Sequence, residues 1–119
     1  MYEKDDKYDL ERRTLEFAKR VRSFVKRLPR TTANIEDGRQ LIRSSGSIGA
    51  NYIEANESLG RKDFVMRIKI SRKESKESTF WLKLLDVSND KELEEENRKL
   101  IQESKELMNI FGSIYHKSI

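Results

Sequence analysis

The feature that most constrains the fold is a recurring spacing of four and three residues between apolar or small side chains. This spacing places the residues on one face of a helix, against neighbouring helices. The first segment with this spacing is followed by Pro29, which cannot continue a helix. Its inner positions are Leu10, Thr14, Phe17, Val21, Phe24 and Leu28.

The second segment mixes large inner residues with very small ones. Its predicted inner positions are Ile35, Ile42, Ser45, Gly49 and Tyr52. Gly46 and Gly49 lie inside this segment, and each glycine within a helix costs about 1 kcal/mol relative to alanine. We therefore expect another backbone to approach the helix closely at these glycines.

The third and fourth segments repeat the same heptad spacing. The third has serines in the middle of its inner face: Phe64, Ile68, Ser71, Ser75, Ser78, Leu82 and Leu85. The fourth reads Leu93, Asn97, Leu100, Ser104, Leu107, Phe111 and Ile114. Because serine is small, we expect the third helix to lie against the small residues of the second.

Short connections between these segments make sequential helices antiparallel neighbours. The predicted fold is all-α, an antiparallel up-down-up-down four-helix bundle over residues 9–119, preceded by a flexible polar tail over residues 1–8. At 119 residues the chain forms one domain. The predicted helices span residues 9–28, 33–57, 61–87 and 90–115.

Composition excludes several classes of protein. The chain has no cysteine, so disulfides and thiolate chemistry are excluded. No apolar run approaches the roughly 18 residues of a membrane span, and the N-terminus lacks the apolar stretch of a signal peptide. We expect a cytoplasmic protein with no membrane partner.

The residues that could carry chemistry do not form a recognisable catalytic site. The only histidine, His116, lies near the C-terminus. The pairs Glu54 with Glu57 and Glu74 with Glu77 lie one helical turn apart but lack the histidine of a di-iron site. We therefore predict no enzymatic activity, no metal, no cofactor and no small-molecule substrate.

Charge alternates from helix to helix. Residues 9–30 carry eight basic and three acidic side chains, and residues 59–88 carry eight and four. Residues 31–58 carry two basic and four acidic side chains, and residues 89–119 carry five basic and seven acidic side chains. The basic residues recur every seven positions in three rows: Arg12, Lys19 and Lys26; Arg13, Arg20 and Arg27; and Lys62, Lys69, Lys76 and Lys83.

These rows support two interpretations. The lysine row of the third helix extends about 31 Å at helical rise, so the rows could follow a phosphate backbone and neutralise its charges. Alternatively, the rows flank the interhelical seams and pair with the acidic second and fourth helices, as in coiled coils. Trp81 lies off the predicted seam, which indicates a subunit interface.

Two stretches carry a family resemblance: SSGSIGANYIEANESLGRKDF (44–64) and ISRKESKESTFWLKLLD (70–86). They resemble the bacterial four-helix-bundle proteins associated with intervening sequences in large-subunit ribosomal RNA genes. A related branch comprises accessory proteins of diversity-generating retroelements. The positions that match, which look structural or interfacial, are Ser47, Ile48, Asn51, Glu54, Asp63, Phe64, Glu74, Glu77, Trp81 and Leu82.

The resemblance implies a homopentamer and, for the retroelement branch, a basic surface that binds nucleic acid and a reverse transcriptase. We predict a non-enzymatic, homo-oligomeric accessory protein that binds RNA or DNA through the basic rows, largely independently of sequence. The alternative is a protein-interaction scaffold, for example for a reverse transcriptase, without a nucleic-acid role. Gly60 departs from the small polar residue expected before the third helix, which puts its N-terminal cap in doubt.

Overall fold

The computed structural model is a four-helix bundle with principal extents of 46 × 25 × 19 Å. It describes the backbone of residues 2–119 and the side chains of residues 9–119. Each helix packs against the next in the chain, and the first also packs against the fourth, which closes an up-down-up-down arrangement. The predicted fold class is confirmed. The helices are α1 (Tyr2–Lys26), α2 (Thr32–Asn56), α3 (Arg61–Leu84) and α4 (Lys91–Ser118).

Polar side chains begin two of the four helices. The Thr31 hydroxyl accepts a hydrogen bond from the backbone N–H of Asn34 at 3.1 Å and caps α2. The Asp90 carboxylate caps α4 by accepting from the backbone N–H of Glu92 at 3.0 Å. Gly60 precedes α3 and supplies no side-chain cap. Its departure from the family pattern thus leaves α3 without a side-chain cap.

The bounds of α1 differ from the prediction of residues 9–28. The helix begins at Tyr2 and ends at Lys26. Its last turn tightens, because the backbone N–H of Leu28 bonds to the carbonyl of Val25 at 3.2 Å just before Pro29. The flexible tail predicted over residues 1–8 lies outside the residues whose side chains the structure describes.

A long-range contact ends α3 at Leu84 rather than at residue 87. The buried Asn34 side chain accepts from the backbone N–H of Asp86 at 2.9 Å and donates to its carbonyl at 2.8 Å. These bonds hold Asp86 in an extended segment, and Ser88 and Asn89 then turn the chain with φ of 51° and 61°. The start of α2 therefore determines where α3 stops.

The core follows the predicted seams of α1, α3 and α4. All six inner residues predicted for α1 are buried. In α3 and α4 every predicted inner residue is buried except three that are partly buried: Phe64, Asn97 and Ile114. The largest side chains with under 2% exposure are Phe17, Phe24, Phe111, Leu41, Ile48, Ile68, Leu82, Leu100 and Leu107.

The predicted inner face of α2 is wrong at its first positions. Ile35 is 39% exposed and Ile42 is partly buried, while only Ser45 and Tyr52 of the predicted set are fully inside. Both isoleucines instead line the flank that faces α1. The buried residues of α2 are Asn34, Gly38, Leu41, Ser44, Ser45, Ile48, Tyr52 and Ala55.

Hydroxyl groups join the helices at mid-height. The Ser44 and Ser78 oxygens share a hydrogen bond of 2.9 Å between α2 and α3. Ser71 donates to the carbonyl of Ile48 at 2.9 Å. Thr79 and Ser104 lie 2.6 Å apart between α3 and α4. The expectation that the serines of α3 meet small residues of α2 is confirmed.

The glycines of α2 face α1, whereas Ser44 faces α3. A Cβ at Gly49 would lie 2.7 Å from Thr14 Oγ1 and 3.1 Å from Thr14 Cβ. Thr14 is 2% exposed, and its hydroxyl bonds to the carbonyls of Leu10 and Glu11. Gly49 therefore lets α1 and α2 approach closely; the expectation that the small residues of α2 all lie against α3 is wrong for the glycines, which lie against α1.

Candidate interaction surfaces

The Arg13 side chain bridges α1 and α4. Its Nε lies 2.7 Å from Glu103 Oε2, and its Nη2 lies 3.0 Å from Glu103 Oε1 and 2.6 Å from Glu106 Oε1. Hydrogen bonding to Glu103 raises the pKa of Arg13 above its ordinary value. The two-pronged contact holds the guanidinium flat against α4.

The other two arginines of this row also face acidic residues of α4. Arg20 Nε lies 3.4 Å from Glu96 Oε2, and Arg27 Nη2 lies 3.6 Å from Glu92 Oε1. Arg13, Arg20 and Arg27 thus form a ladder of ion pairs along the α1–α4 seam, the arrangement of flanking positions in coiled coils. Arg13 makes the closest of these contacts, whereas Arg27 and Glu92 are more exposed and water screens their interaction.

The second basic row of α1 points outward. Arg12, Lys19 and Lys26 are exposed. Arg12 lies 3.8 Å from Asp9, and both side chains are about 70% exposed, so water screens the pair strongly. Lys19 and Lys26 make no ion pair with any described residue. This row remains available to an external anion.

The lysine row of α3 is likewise exposed on the side toward α4. Lys69 Nζ lies 5.5 Å from the centre of the Tyr115 ring, a cation–π contact. Lys62, Lys76 and Lys83 have no carboxylate partner within the described part of the chain. Arg61, Arg72 and Lys73 add further exposed cations on the same helix.

An apolar depression of about 510 Å³ lies among these cations. Met66 and Ile70 of α3 and Met108 of α4 contribute its apolar lining. Lys69, Arg72, Lys73 and Lys76 also line it. We refer to the lysine row of α3 together with Arg72 and Lys73 as the α3 cationic surface: Lys62, Lys69, Arg72, Lys73, Lys76 and Lys83.

The matched family positions of α2 form a polar network beside α3. The Asn51 amide donates to the carbonyl and the hydroxyl of Ser47 at 3.0 and 2.9 Å. Arg67 of α3 donates from Nη1 to Asn51 Oδ1 at 3.1 Å, while Glu54 is exposed near the C-terminus of α2. These contacts fix the relative positions of α2 and α3 at this face.

Three more matched positions follow along α3 on the same side. Glu74 is 7% exposed, and its Oε1 is buried without a hydrogen-bond partner. Burial, followed by repulsion from Glu77, raises the pKa of Glu74. Glu77 Oε1 lies 3.8 Å from Arg43 Nη2. The nearby Trp81 is partly buried, and its Nε1 also lacks a partner.

Large apolar side chains surround Trp81. The rings of Phe80 and Trp81 meet edge to face with centres 5.1 Å apart. Phe80 is 56% exposed and Leu84 is 49% exposed. We refer to this patch as the α3 aromatic face: Glu74, Glu77, Phe80, Trp81 and Leu84.

The remaining matched positions belong to the core or to the start of α3. Ile48 and Leu82 are 0% exposed, and Phe64 is partly buried against the core. Asp63 lies 3.9 Å from Arg67 in the first turn of α3. The matched set thus separates into core residues and residues on the α2–α3 side of the bundle.

A groove runs along the opposite side of α2, against α1. It has a volume of about 340 Å³. Leu15 and Ile53 stand on its rims and are 52% and 49% exposed. We refer to it as the α1–α2 groove, and its main residues are Leu15, Lys19, Arg22, Gly46, Gly49 and Ile53.

Two classes of site are not found in the described part of the chain. Within it, no group of three or more histidine, aspartate and glutamate residues could hold a metal ion. Among the same residues, no helix is both long enough and apolar enough to cross a membrane.

The fold and these surfaces define a small all-α four-helix-bundle protein with a cationic outer face. The chain belongs to the family of 23S rRNA-intervening sequence proteins, whose model matches residues 6–113. The resemblance seen in the sequence is therefore confirmed at the level of the family.

A solved structure supports the same assignment. It is a protein of unknown function from the S23 ribosomal protein family of Bacteroides thetaiotaomicron VPI-5482, and it is 31% identical to this chain. The match covers 89% of this chain and 97% of that one, with a TM-score of 0.77. A search of curated proteins found no match.

Proposed function

We propose that this protein is a non-enzymatic, homo-oligomeric accessory protein that binds nucleic acid through the α3 cationic surface. The observation that carries the proposal is that these cations are exposed and make no ion pair with any described residue. The outward row of α1 (Arg12, Lys19 and Lys26) extends the binding surface. The row of Arg13, Arg20 and Arg27 contributes to the bundle rather than to binding.

The spacing of the lysines supports contact with the phosphate backbone. Lysines seven residues apart lie about 10 Å apart along a helix, in one line. Such a line contacts phosphates and carries little information about base sequence. If four lysines neutralise four phosphates, the logarithm of the association constant falls with that of salt concentration at a slope of about −3 to −4.

The family assignment favours RNA as the nucleic acid. The family description names 23S ribosomal RNA, and the solved relative is assigned to a ribosomal protein family. An RNA with accessible phosphates is thus the first ligand to test. The expected homopentamer and the reverse-transcriptase partner of the related branch are further parts of the proposal.

The test is fluorescence anisotropy with labelled RNA at several salt concentrations. The variant Lys69→Glu/Lys76→Glu/Lys83→Glu should bind on the order of 100-fold more weakly near 0.1 M salt, because each phosphate contact contributes up to about tenfold there. The control Lys91→Glu/Lys99→Glu/Lys105→Glu changes net charge equally but lies on acidic α4. It should bind within about threefold of wild type.

Two results contradict this function. One is the absence of RNA and DNA binding by wild type at low salt. The other is equal weakening by the two triple variants, which would mean that net charge rather than the α3 surface controls binding.

The α3 aromatic face favours a second candidate function, a protein-interaction scaffold. Exposed Phe80 and Leu84 beside Trp81 form an apolar patch of the kind found at protein interfaces. For a scaffold without a nucleic-acid role, co-purification recovers a protein partner while the ultraviolet spectrum shows no bound nucleic acid. RNA binding that depends on Lys69, Lys76 and Lys83 would reject that reading.

A further inference from the structure

We propose that the nucleic acid bound by the α3 cationic surface is single-stranded, and that the apolar depression between α3 and α4 receives an unstacked base. This inference rests on the function proposed above and names the class of ligand. Base entry distinguishes a single strand from a duplex, because only the single strand has bases that can turn outward without breaking pairs.

The depression has an apolar lining that reaches the surface of the bundle. Met66 and Ile70 of α3 and Met108 of α4 form this part of it. Met66 is 48% exposed, and the other two side chains are partly buried. Methionine is flexible and polarisable, and its sulfur contacts aromatic rings favourably. Such a lining suits the flat face of a nucleobase of any identity.

The border of the depression is cationic. Four basic residues line it: Lys69, Arg72, Lys73 and Lys76. None of them forms an ion pair with a described residue, and no acidic residue lines the depression within the described part of the chain. An apolar centre with a cationic border fits a ligand that combines apolar groups with closely spaced negative charges. A single strand fits this pattern, because its phosphates meet the lysines while a base enters the depression.

Arg72 adds a flat group at the edge of the depression. A Cβ added at Gly112 would lie 3.5 Å from Arg72 Nε and 3.8 Å from Arg72 Cδ. The Arg72 side chain thus passes over α4 at Gly112, one helical turn after Met108 on the same face. A guanidinium is planar, and unstacked bases of RNA stack on it. Arg72 therefore supplies a stacking surface as well as a charge.

A duplex would use these residues differently. Its bases stay paired and stacked, so its phosphates and sugars reach the lysines while Met66, Ile70 and Met108 stay in contact with water. Charge alone favours the duplex, because each neutralised phosphate contributes a salt slope of about −0.9 in B-form DNA and about −0.7 in a single strand. A preference for the single strand therefore cannot come from charge and would indicate base entry.

The test compares three probes of equal phosphate number by fluorescence anisotropy at about 0.15 M salt. The probes are an oligouridine, a duplex of oligoadenosine with oligouridine, and a strand of abasic ribonucleotides. The abasic strand has phosphates but no base to insert. The oligouridine should bind on the order of tenfold tighter than either of the others, because stacking of one base contributes about that factor or more.

A variant of the apolar lining separates base entry from phosphate contact. Met66→Gln/Met108→Gln keeps the charge and the helix propensity. It should weaken oligouridine binding roughly fivefold and leave duplex binding within about twofold, because the amide side chains lose apolar contact with the base alone. The matched control Ile35→Gln/Ile53→Gln changes two exposed residues of α2 on the flank toward α1 and should leave all three affinities unchanged. If circular dichroism shows that the methionine variant loses helix, Arg72→Lys replaces it, since lysine keeps the charge without the flat guanidinium.

The outcomes separate this inference from the proposed function. Absence of binding to all three probes overturns both. Binding of the duplex or the abasic strand as tightly as oligouridine overturns base entry and leaves phosphate binding intact. Equal oligouridine binding by wild type and the methionine variant overturns the assignment to this depression. Competition by laurate without any preference for the single strand would assign the depression to a fatty acid and overturn the inference. A single-strand preference that the methionine variant reduces supports it.

Discussion

Alanine substitution at two glycines one turn apart should change stability in opposite directions. Replacing glycine by alanine within a helix favours folding by about 1 kcal/mol, because alanine loses less conformational freedom. At Gly46 the new Cβ would lie 3.4 Å from Arg22 Nη2, the far end of a flexible side chain that moves aside. Gly46→Ala should therefore raise the free energy of unfolding by about 0.5–1 kcal/mol.

At Gly49 the same substitution meets a fixed neighbour. The Cβ would lie 2.7 Å from Thr14 Oγ1, and Thr14 is buried and hydrogen-bonded to its own helix. Separating α1 from α2 costs about 1–3 kcal/mol for one overpacked methyl group. After the gain in helix propensity, Gly49→Ala should lower the free energy of unfolding by up to about 2 kcal/mol.

Urea unfolding followed by circular dichroism measures both values, at one protein concentration because association shifts apparent stability. Thr14→Ala removes the nearest atom and should restore at least part of the loss in the Gly49→Ala background. If Gly49→Ala stabilises the protein as Gly46→Ala does, the close approach of α1 and α2 is not a constraint on this fold.

Three further perturbations follow from the described contacts. Asn34→Ala should lower the free energy of unfolding by about 2–3 kcal/mol, since it leaves the backbone groups of Asp86 without partners, and urea unfolding measures it. Arg13→Ala should lower the free energy of unfolding by about 1 kcal/mol at low salt and by less at 1 M salt, because salt screens a pair that is only partly shielded from water. An equal loss of stability at both salt concentrations would contradict this. The raised pKa of Glu74 means that the folded state holds its proton more tightly than the unfolded state. Stability should thus fall as pH rises above the ordinary carboxyl range, and Glu74→Gln should remove that fall; parallel pH profiles would refute it.

The seams of α1, α3 and α4 could be predicted because their periodicity alone determines which side is buried. In α2 the apolar residues Ile35 and Ile42 suggested a different inner face from the real one. Asn34 occupies an inner position there because its amide bonds to Asp86, 52 residues away. Sequence periodicity carries no signal for such a contact, which also explains why the end of α3 was misplaced.

The role of each basic row could not be predicted from the sequence either. The sequence shows where every basic residue lies along each helix. It does not show whether the side chain forms an ion pair within the chain or is exposed to solvent. Arg13, Arg20 and Arg27 repeat every seven residues just as Arg12, Lys19 and Lys26 do, yet only the first row meets the glutamates of α4. The difference depends on a rotation of about 100° around α1, which the position of α4 determines.

The hydroxyl pairs at mid-height have a consequence for the alignment of the helices. Ser44 meets Ser78, and Thr79 meets Ser104, only at one longitudinal position of α3. A slide of α3 by one heptad would bring Arg72 or Asp86, in place of Thr79, opposite Ser104 and so break the Thr79–Ser104 hydrogen bond. A purely leucine interior would tolerate several such offsets at similar cost. The polar middle of this bundle thus selects one vertical alignment among those that the heptad pattern allows.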